Sequence, residues 1–314
     1  MAKSLGWIGV PSSMGAFAPG QERGPIALRE ADLIGRLSRA GVEVEDYGDG
    51  PKIRRWRPDR TNRYAQNLSD VVEVAQETAQ RVAEADAAGH LPLILGGDCT
   101  IELGTVAALI SSEETSEERI GLVYFDVHPD LNVPDSVGEG ALDWMGVAHM
   151  LGEEGAAQQL SHFGPRFPLL TNESVFMFSC GTEQATEWER EVIERRELKS
   201  ISVREVADNP VGAAQRALAQ MESRFDRLIV HFDVDTVDFT DLPLSENTGR
   251  NEGLSFEVAT RALETLLRSE RPAALTVTEF IPYHGAEDGS TAETLVDGLV
   301  AALSVSPVLA RRTV

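Results

Sequence analysis

Residues 121–130 read Gly-Leu-Val-Tyr-Phe-Asp-Val-His-Pro-Asp. An unbroken apolar run of this length describes a strand buried on both faces, and it ends directly on Asp126, His128 and Asp130. Side chains of an extended chain alternate in direction, so these three fall on one side. A carboxylate, an imidazole and a second carboxylate converging at a strand end suit a hard or borderline divalent cation such as Mn²⁺. A second apolar run, Leu-Ile-Val-His-Phe at 228–232, ends the same way in Asp233-Val234-Asp235, with Asp238 three residues further on. An Asp at a strand end is often only a cap or turn former. Two such patterns together favour a shared site, because four buried Asp side chains at one sheet edge repel each other unless cations intervene.

The same alternation of short apolar runs with longer segments of helical period continues outward in both directions. Strands are expected near 6–10, 42–47, 91–95, 120–125, 174–178, 198–202, 228–232 and 275–280. Helical spacing fills 25–40, 68–88, 101–110, 188–195, 211–221, 255–267 and 292–302 between them. A β-then-α order throughout predicts an α/β fold of three α/β/α layers around a mainly parallel sheet of eight strands. Loops rich in Gly, Pro and Asp follow the strands at 11–22, 96–100, 126–140, 233–253 and 281–290, where open parallel sheets bind their ligands. No repeat or Pro-rich linker divides the chain, and residues 1–314 are expected to form one domain.

Composition narrows the class without deciding the chemistry. Hydrophobic residues make up 42% and charged residues 25% of 314, which suits a globular chain with a sizeable core. The net charge of −23, from 51 acidic against 28 basic residues, and the lack of a basic run argue against a nucleic-acid partner. No apolar window is long enough to span a membrane, and the N-terminus lacks the apolar core of a signal peptide. Cys99 and Cys180 form neither a disulfide framework nor a C-x-x-C pair, so a cytoplasmic location is expected.

A third element, Gly96-Gly97-Asp98-Cys99-Thr100, follows the apolar run Leu-Pro-Leu-Ile-Leu. Read in order, G-G-D-C-T, D-V-H-P-D, D-V-D-T-V-D and the late T-E-F resemble the arginase/agmatinase (ureohydrolase) family, whose usual forms are G-G-D-H-S, D-A-H-x-D and S-x-D-x-D-x-x-D-P. Ile8-Gly9-Val10-Pro11, Gly24-Pro25 and Asp46-Tyr47-Gly48-Asp49 add to the likeness near the N-terminus, so it spans nearly the whole chain. The resemblance implies a fold of the arginase type, two divalent metal ions, Mn²⁺ foremost, and a small guanidino substrate. It also implies a homo-oligomer, trimer or hexamer. Asp126 and Asp233 would bridge the metals, His128 and Asp235 would complete one, and Asp130 the other. In the family the metals activate water for attack on a guanidinium carbon, a poor electrophile. Glu279 would pair with that guanidinium.

Several positions depart from the family pattern. Cys99 stands where the family has a histidine ligand; it either ligates as thiolate and shifts the site toward Zn²⁺ or Fe²⁺, binds weakly as thiol, or leaves the place to water. Asn132 keeps a substrate contact. Glu139 replaces a serine that helps bind substrate, Asp143 replaces a proton-shuttling histidine, and Gln184 appears where an acidic contact to an α-amino group is usual. Asp143, or His149 beyond it, could move a proton in its stead. The expectation is a C–N hydrolase of a guanidino or amidino compound other than ordinary L-arginine, such as an N-hydroxylated or biosynthetic guanidine. The alternative is a catalytically impaired protein of the same fold, acting as a binding or assembly subunit.

Overall fold

The computed structural model describes residues 3–116, 118–246, 249 and 252–309. Eight strands form one sheet: β1 (Leu5–Gly9), β2 (Val44–Asp49), β3 (Leu91–Leu95), β4 (Ile120–Phe125), β5 (Val175–Cys180), β6 (Lys199–Ser202), β7 (Arg227–Asp233) and β8 (Pro272–Thr278). Their order across the sheet is β2-β1-β3-β8-β7-β4-β5-β6, with every neighbouring pair parallel. β3, β4, β5 and β8 are buried at every position, as their apolar runs require of strands covered on both faces. The edge strands β2 and β6 carry Glu45, Asp46 and Lys199 on exposed positions, which discourages pairing with another chain.

Two apolar cores fill the space on either side of the sheet. One joins it to the helices at 24–39, 210–222, 256–266 and 290–304 through Leu28, Leu37, Ala217, Leu263 and Leu299. The other joins it to the helices at 68–87, 101–116 and 187–196 through Val74, Val82, Val106, Leu109 and Val192. Helix 25–40, expected in one piece, is broken in two at Asp32, which adopts a left-handed conformation (φ 60°) that Asp tolerates better than most residues. Short helices at 146–150, 158–161 and 203–208 were not marked by periodicity, being too brief to show one.

The chain reaches β3 and next enters β4, yet β8 and β7 lie between them in the sheet. That reversal opens a crevice at the carboxyl ends of four adjacent central strands, β3, β8, β7 and β4. Register then sets who meets whom: Tyr124 lies beside His231, Phe125 beside Phe232, and Asp233 beside Thr278.

Candidate metal centre and substrate cavity

Asp126 and Asp233 end β4 and β7 in matching turns. Oδ1 of Asp126 accepts the His128 backbone N–H at 2.7 Å, and Oδ1 of Asp233 accepts that of Asp235 at 2.7 Å. Each Asp is thus a turn former through one oxygen, which leaves the other to face the crevice. Oδ2 of Asp126 is buried with no hydrogen-bond partner among the described residues, a costly state unless a cation occupies the space before it. Across from it, Nδ1 of His128 lies 3.0 Å from Oδ2 of Asp235.

Cys99 enters from the loop after β3. Gly96 and Gly97 both hold positive φ, 86° and 85°, and a Cβ on Gly97 would meet Ile101 Cγ2 at 2.9 Å and Val10 O at 3.1 Å. Only glycine lets the loop fold this tightly onto its neighbours. The Cys99 thiol donates to Oδ2 of Asp233 at 2.8 Å, and its backbone N–H donates to Oε1 of Glu279 at 2.9 Å. Asp98 fastens the loop, accepting from Gly15 N at 3.0 Å and Thr100 N at 3.1 Å. Gly15 O in turn accepts from Leu142 N at 2.7 Å and Asp143 N at 3.1 Å, so Asp143 is positioned through the same bonds.

Ligand atoms fall into two clusters in which all lie within 4.8 Å of one another: Cys99, Asp126, His231 and Asp233, and Asp126, His128 and Asp235. Asp126 belongs to both, as a bridging carboxylate would. Mixed carboxylate, imidazole and thiol donors at this spacing, with one oxygen of Asp126 unsatisfied, fit a pair of divalent cations. Charge makes the same demand. Burial, then the neighbouring Asp233 and Asp235, pushes the Asp126 carboxyl well above the usual range; burial and Asp235 do the same to Asp233. Burial likewise holds the Cys99 thiol well above its usual value, with Asp233 next in effect. Burial opposes protonation of His128, but Asp235 outweighs it and raises the imidazole to about 10. Burial works against ionised Asp235 too, and His128 reverses it, so this carboxyl sits below its ordinary value.

A cavity of about 230 Å³ opens over the clusters. Its described lining includes seven carboxylates, Asp130, Asp143, Glu189, Asp233, Asp235, Glu246 and Glu279, together with Asn132, Trp144, Gln184 and Thr186, and no Lys or Arg. Glu279 holds a left-handed backbone (φ 65°) at the end of β8, and its Oε2 accepts from Gln21 Nε2 at 2.8 Å. Asp130 is left-handed too (φ 49°), a strain that persists only where surroundings enforce it. Burial raises Asp130 to about 8, against the hydroxyl of Tyr124 that bonds its Oδ2. Burial and Asp235 raise Glu246 to about 7. Glu189 is committed to the fold: it accepts from Leu131 N at 3.1 Å and caps the helix at 187–196 through Thr186 N at 2.8 Å. Asn132 accepts from Thr186 Oγ1 at 2.9 Å and Ser136 Oγ at 3.0 Å, so its side-chain N–H groups are what it can offer a ligand.

The family profile described as Arginase family matches residues 3–304. The chain belongs to the arginase family. The arginase of Brevibacillus brevis is 30% identical over 271 residues, 85% of this chain and 86% of that one. The arginase of Bacillus caldovelox is 29% identical, covering 89% and 90%. The solved arginase of Bacillus subtilis superposes with a TM-score of 0.82 at 26% identity over 96% of this chain and 98% of its own.

For this arginase-family chain the structure brings Cys99, Asp126, His128, Asp130, Asn132, Asp143, Gln184, Asp233, Asp235 and Glu279 around one crevice. Asp130 lines the cavity but joins neither close cluster, its carboxyl being turned to Tyr124. Glu139 is a correction to the expected substrate contacts. It is exposed and absent from the described lining, because its backbone is held outward: its carbonyl accepts from Gln66 Nε2 at 2.6 Å, and Gly140 O from Gln66 N at 2.9 Å. His149 is buried away from the lining with Nε2 unpartnered among the described residues, and burial lowers it to about 4, so it is no proton carrier for this cavity. Asp238 is a turn former, accepting from Thr240 N at 2.8 Å.

Sequence reading passed over His231, Glu246 and Gln21. His231 lies inside an apolar strand run and looks like core; Glu246 and Gln21 sit in long loops without a motif. The one signal available for His231 was its place two residues before Asp233, where the family pattern has serine.

Proposed function

We propose that the chain is a binuclear-metal hydrolase that cleaves the C–N bond of a guanidino or amidino compound and releases urea or a urea derivative. The substrate proposed is not ordinary L-arginine but a guanidine without a free carboxylate beside its carbon chain, or an N-hydroxylated one. A single observation carries this: seven carboxylates line the cavity with no Lys or Arg among the described lining to receive an anionic group, and His128, which also lines it, is paired with Asp235. Asp126, His128, Asp233 and Asp235 would hold the metals with Cys99 and Asp130 beside them, and Mn²⁺ suits the oxygen-rich donor set. When bound, the metals would supply an activated water at neutral pH.

The residues divide the remaining work. Glu279, fixed by Cys99 N and Gln21, presents a carboxylate for bidentate pairing with a guanidinium. Asp143 is raised well above the usual range by burial, then by Glu246, which favours its protonated form and suits it to carry a proton. Asn132 and Gln184 contact the far end of the substrate. We read residues 1–314 as one such domain, acting in the cytoplasm as a homo-oligomer. No helix among the described residues is long and apolar enough to cross a membrane.

The test is a screen of guanidino and amidino compounds, L-arginine included, for released urea or hydroxyurea with Mn²⁺ supplied. Fastest turnover of a compound lacking an α-carboxylate, or of an N-hydroxyguanidine, is expected. L-arginine as the best substrate overturns the specificity; purified protein that binds no metal and turns over nothing favours the binding-subunit alternative.

A further inference from the structure

His231 has an environment that an ordinary core residue does not need. It is fully buried in β7, two residues before Asp233, and its ring stacks on Tyr124 at 4.2 Å with the planes 7° apart. Nδ1 faces Oε2 of Glu102 at 3.2 Å, a carboxylate also fully buried whose Oε1 has no hydrogen-bond partner among the described residues. Nε2 points the other way, 3.5 Å from Cys99 Sγ and 3.3 Å from Thr278 Oγ1. A ring nitrogen of His231 therefore lies in the same 4.8 Å cluster as Cys99, Asp126 and Asp233, on which the unsatisfied Oδ2 of Asp126 also opens.

We propose that His231 is a metal ligand through Nε2, supplying from β7 the imidazole that the usual family pattern supplies from the position of Cys99. The two departures are then one exchange. Cys99 brings a thiol to the cluster in place of an imidazole, and His231, where the pattern has a small serine, brings a ring nitrogen to the same cluster from β7, two strands away from β3. Glu102 behind the ring completes the arrangement that fixes metal-binding histidines: a carboxylate holds the proton on Nδ1 and turns the Nε2 lone pair toward the ion. An added neutral donor also suits a site already crowded with carboxylates better than an added thiolate.

This inference rests on the two-metal reading of the site, and the experiment separates the two. The full-length protein is loaded with Mn²⁺ for metal analysis and with Co²⁺ for proton NMR, in which each metal-bound imidazole contributes one hyperfine-shifted ring N–H resonance. Two equivalents of metal per chain and two such resonances, from His128 and His231, are expected in the wild type. His231→Ser should drop to one equivalent and lose one resonance, and Glu102→Gln should weaken the affinity of that ion roughly 10–100-fold. Two bound metals with a single imidazole resonance overturn the assignment of His231 while sparing the two-metal reading. No bound metal in the wild type overturns both. The wild-type spectrum decides even if His231→Ser fails to fold.

Discussion

Glu279→Gln changes one charge and almost no volume, which makes it the sharpest probe of the proposed guanidinium contact. The fold should tolerate it. The substituted side chain can keep its carbonyl on Cys99 N, now 2.9 Å from Oε1, and its new amide N–H₂ meets Gln21, whose Oε1 has no partner among the described residues. A flip of the Gln21 side-chain amide lets its Oε1 accept from the new N–H₂ but gives up the 3.4 Å contact from Gln21 Nε2 to Glu246 Oε2, a lost hydrogen bond that should cost about 1 kcal/mol. In the metal-free protein the variant should be the more stable of the two, since burial, then Asp143 and Asp233, pushes the Glu279 carboxyl well above its usual range. Binding of substrate suffers instead. Hydrogen bonds to a charged partner contribute about 1.5–3 kcal/mol each, and exchanging a bidentate ion pair for one neutral contact should forfeit about 3–4 kcal/mol. At about 1.4 kcal/mol per decade, kcat/KM should fall roughly 10²–10³-fold. The assay is initial-rate urea release on the best guanidino substrate, alongside thermal melts and metal analysis showing two equivalents retained. A kcat/KM within about fivefold of wild type, with folding and metal intact, would refute the role assigned to Glu279.

Other outcomes follow from the same geometry. Folded-state values raised to about 8 for Asp130, about 7 for Glu246 and about 10 for His128 mean that the folded, metal-free protein binds more protons than the unfolded chain above pH 4, so its Tm should fall as pH rises from about 5 to 8. Mn²⁺ displaces those protons, so the rise in Tm on adding it should grow over the same range; a metal-free Tm that climbs with pH contradicts this. Cys99→His places a larger ring where Sγ already lies 2.8 Å from Asp233 and 3.5 Å from His231, and overpacking should cost about 1–3 kcal/mol, read as a lower Tm. If that variant instead gains arginase activity at unchanged Tm, the site is not adapted to the thiol. Leu93→Ala in β3, fully buried, should lose about 2–5 kcal/mol in denaturant titrations while the sequence of cavity residues stays untouched.

Much of this protein is written along the chain. Apolar runs this long are best satisfied by strands covered on both faces, so β3, β4, β7 and β8 were legible one at a time, as were the carboxylates that end β4 and β7, whereas Glu279 after β8 stood out only through the family resemblance. The order of those strands was not. Cys99, Asp126, Asp233 and Glu279 come together because β8 and β7 pass between β3 and β4, a fact of topology that no local pattern carries.

The residues that were missed share one physical reason. His231 reads as core because its neighbours are Leu, Ile, Val and Phe; only the stacking of β7 against β4 puts Tyr124 on its face, and only the helix at 101–116 brings Glu102 behind it. Gln21 and Glu246 lie 225 positions apart in the chain and meet over Glu279 through loop geometry alone. Glu139 went the other way, a motif position that its own backbone bonds to Gln66 turn toward solvent. Sequence by itself determined the strands, the longer helices and, His231 apart, the side chains able to bind a cation. Tertiary structure decided which of them share a site, because burial, charge and donor geometry depend on distances through space that sequence separation does not measure.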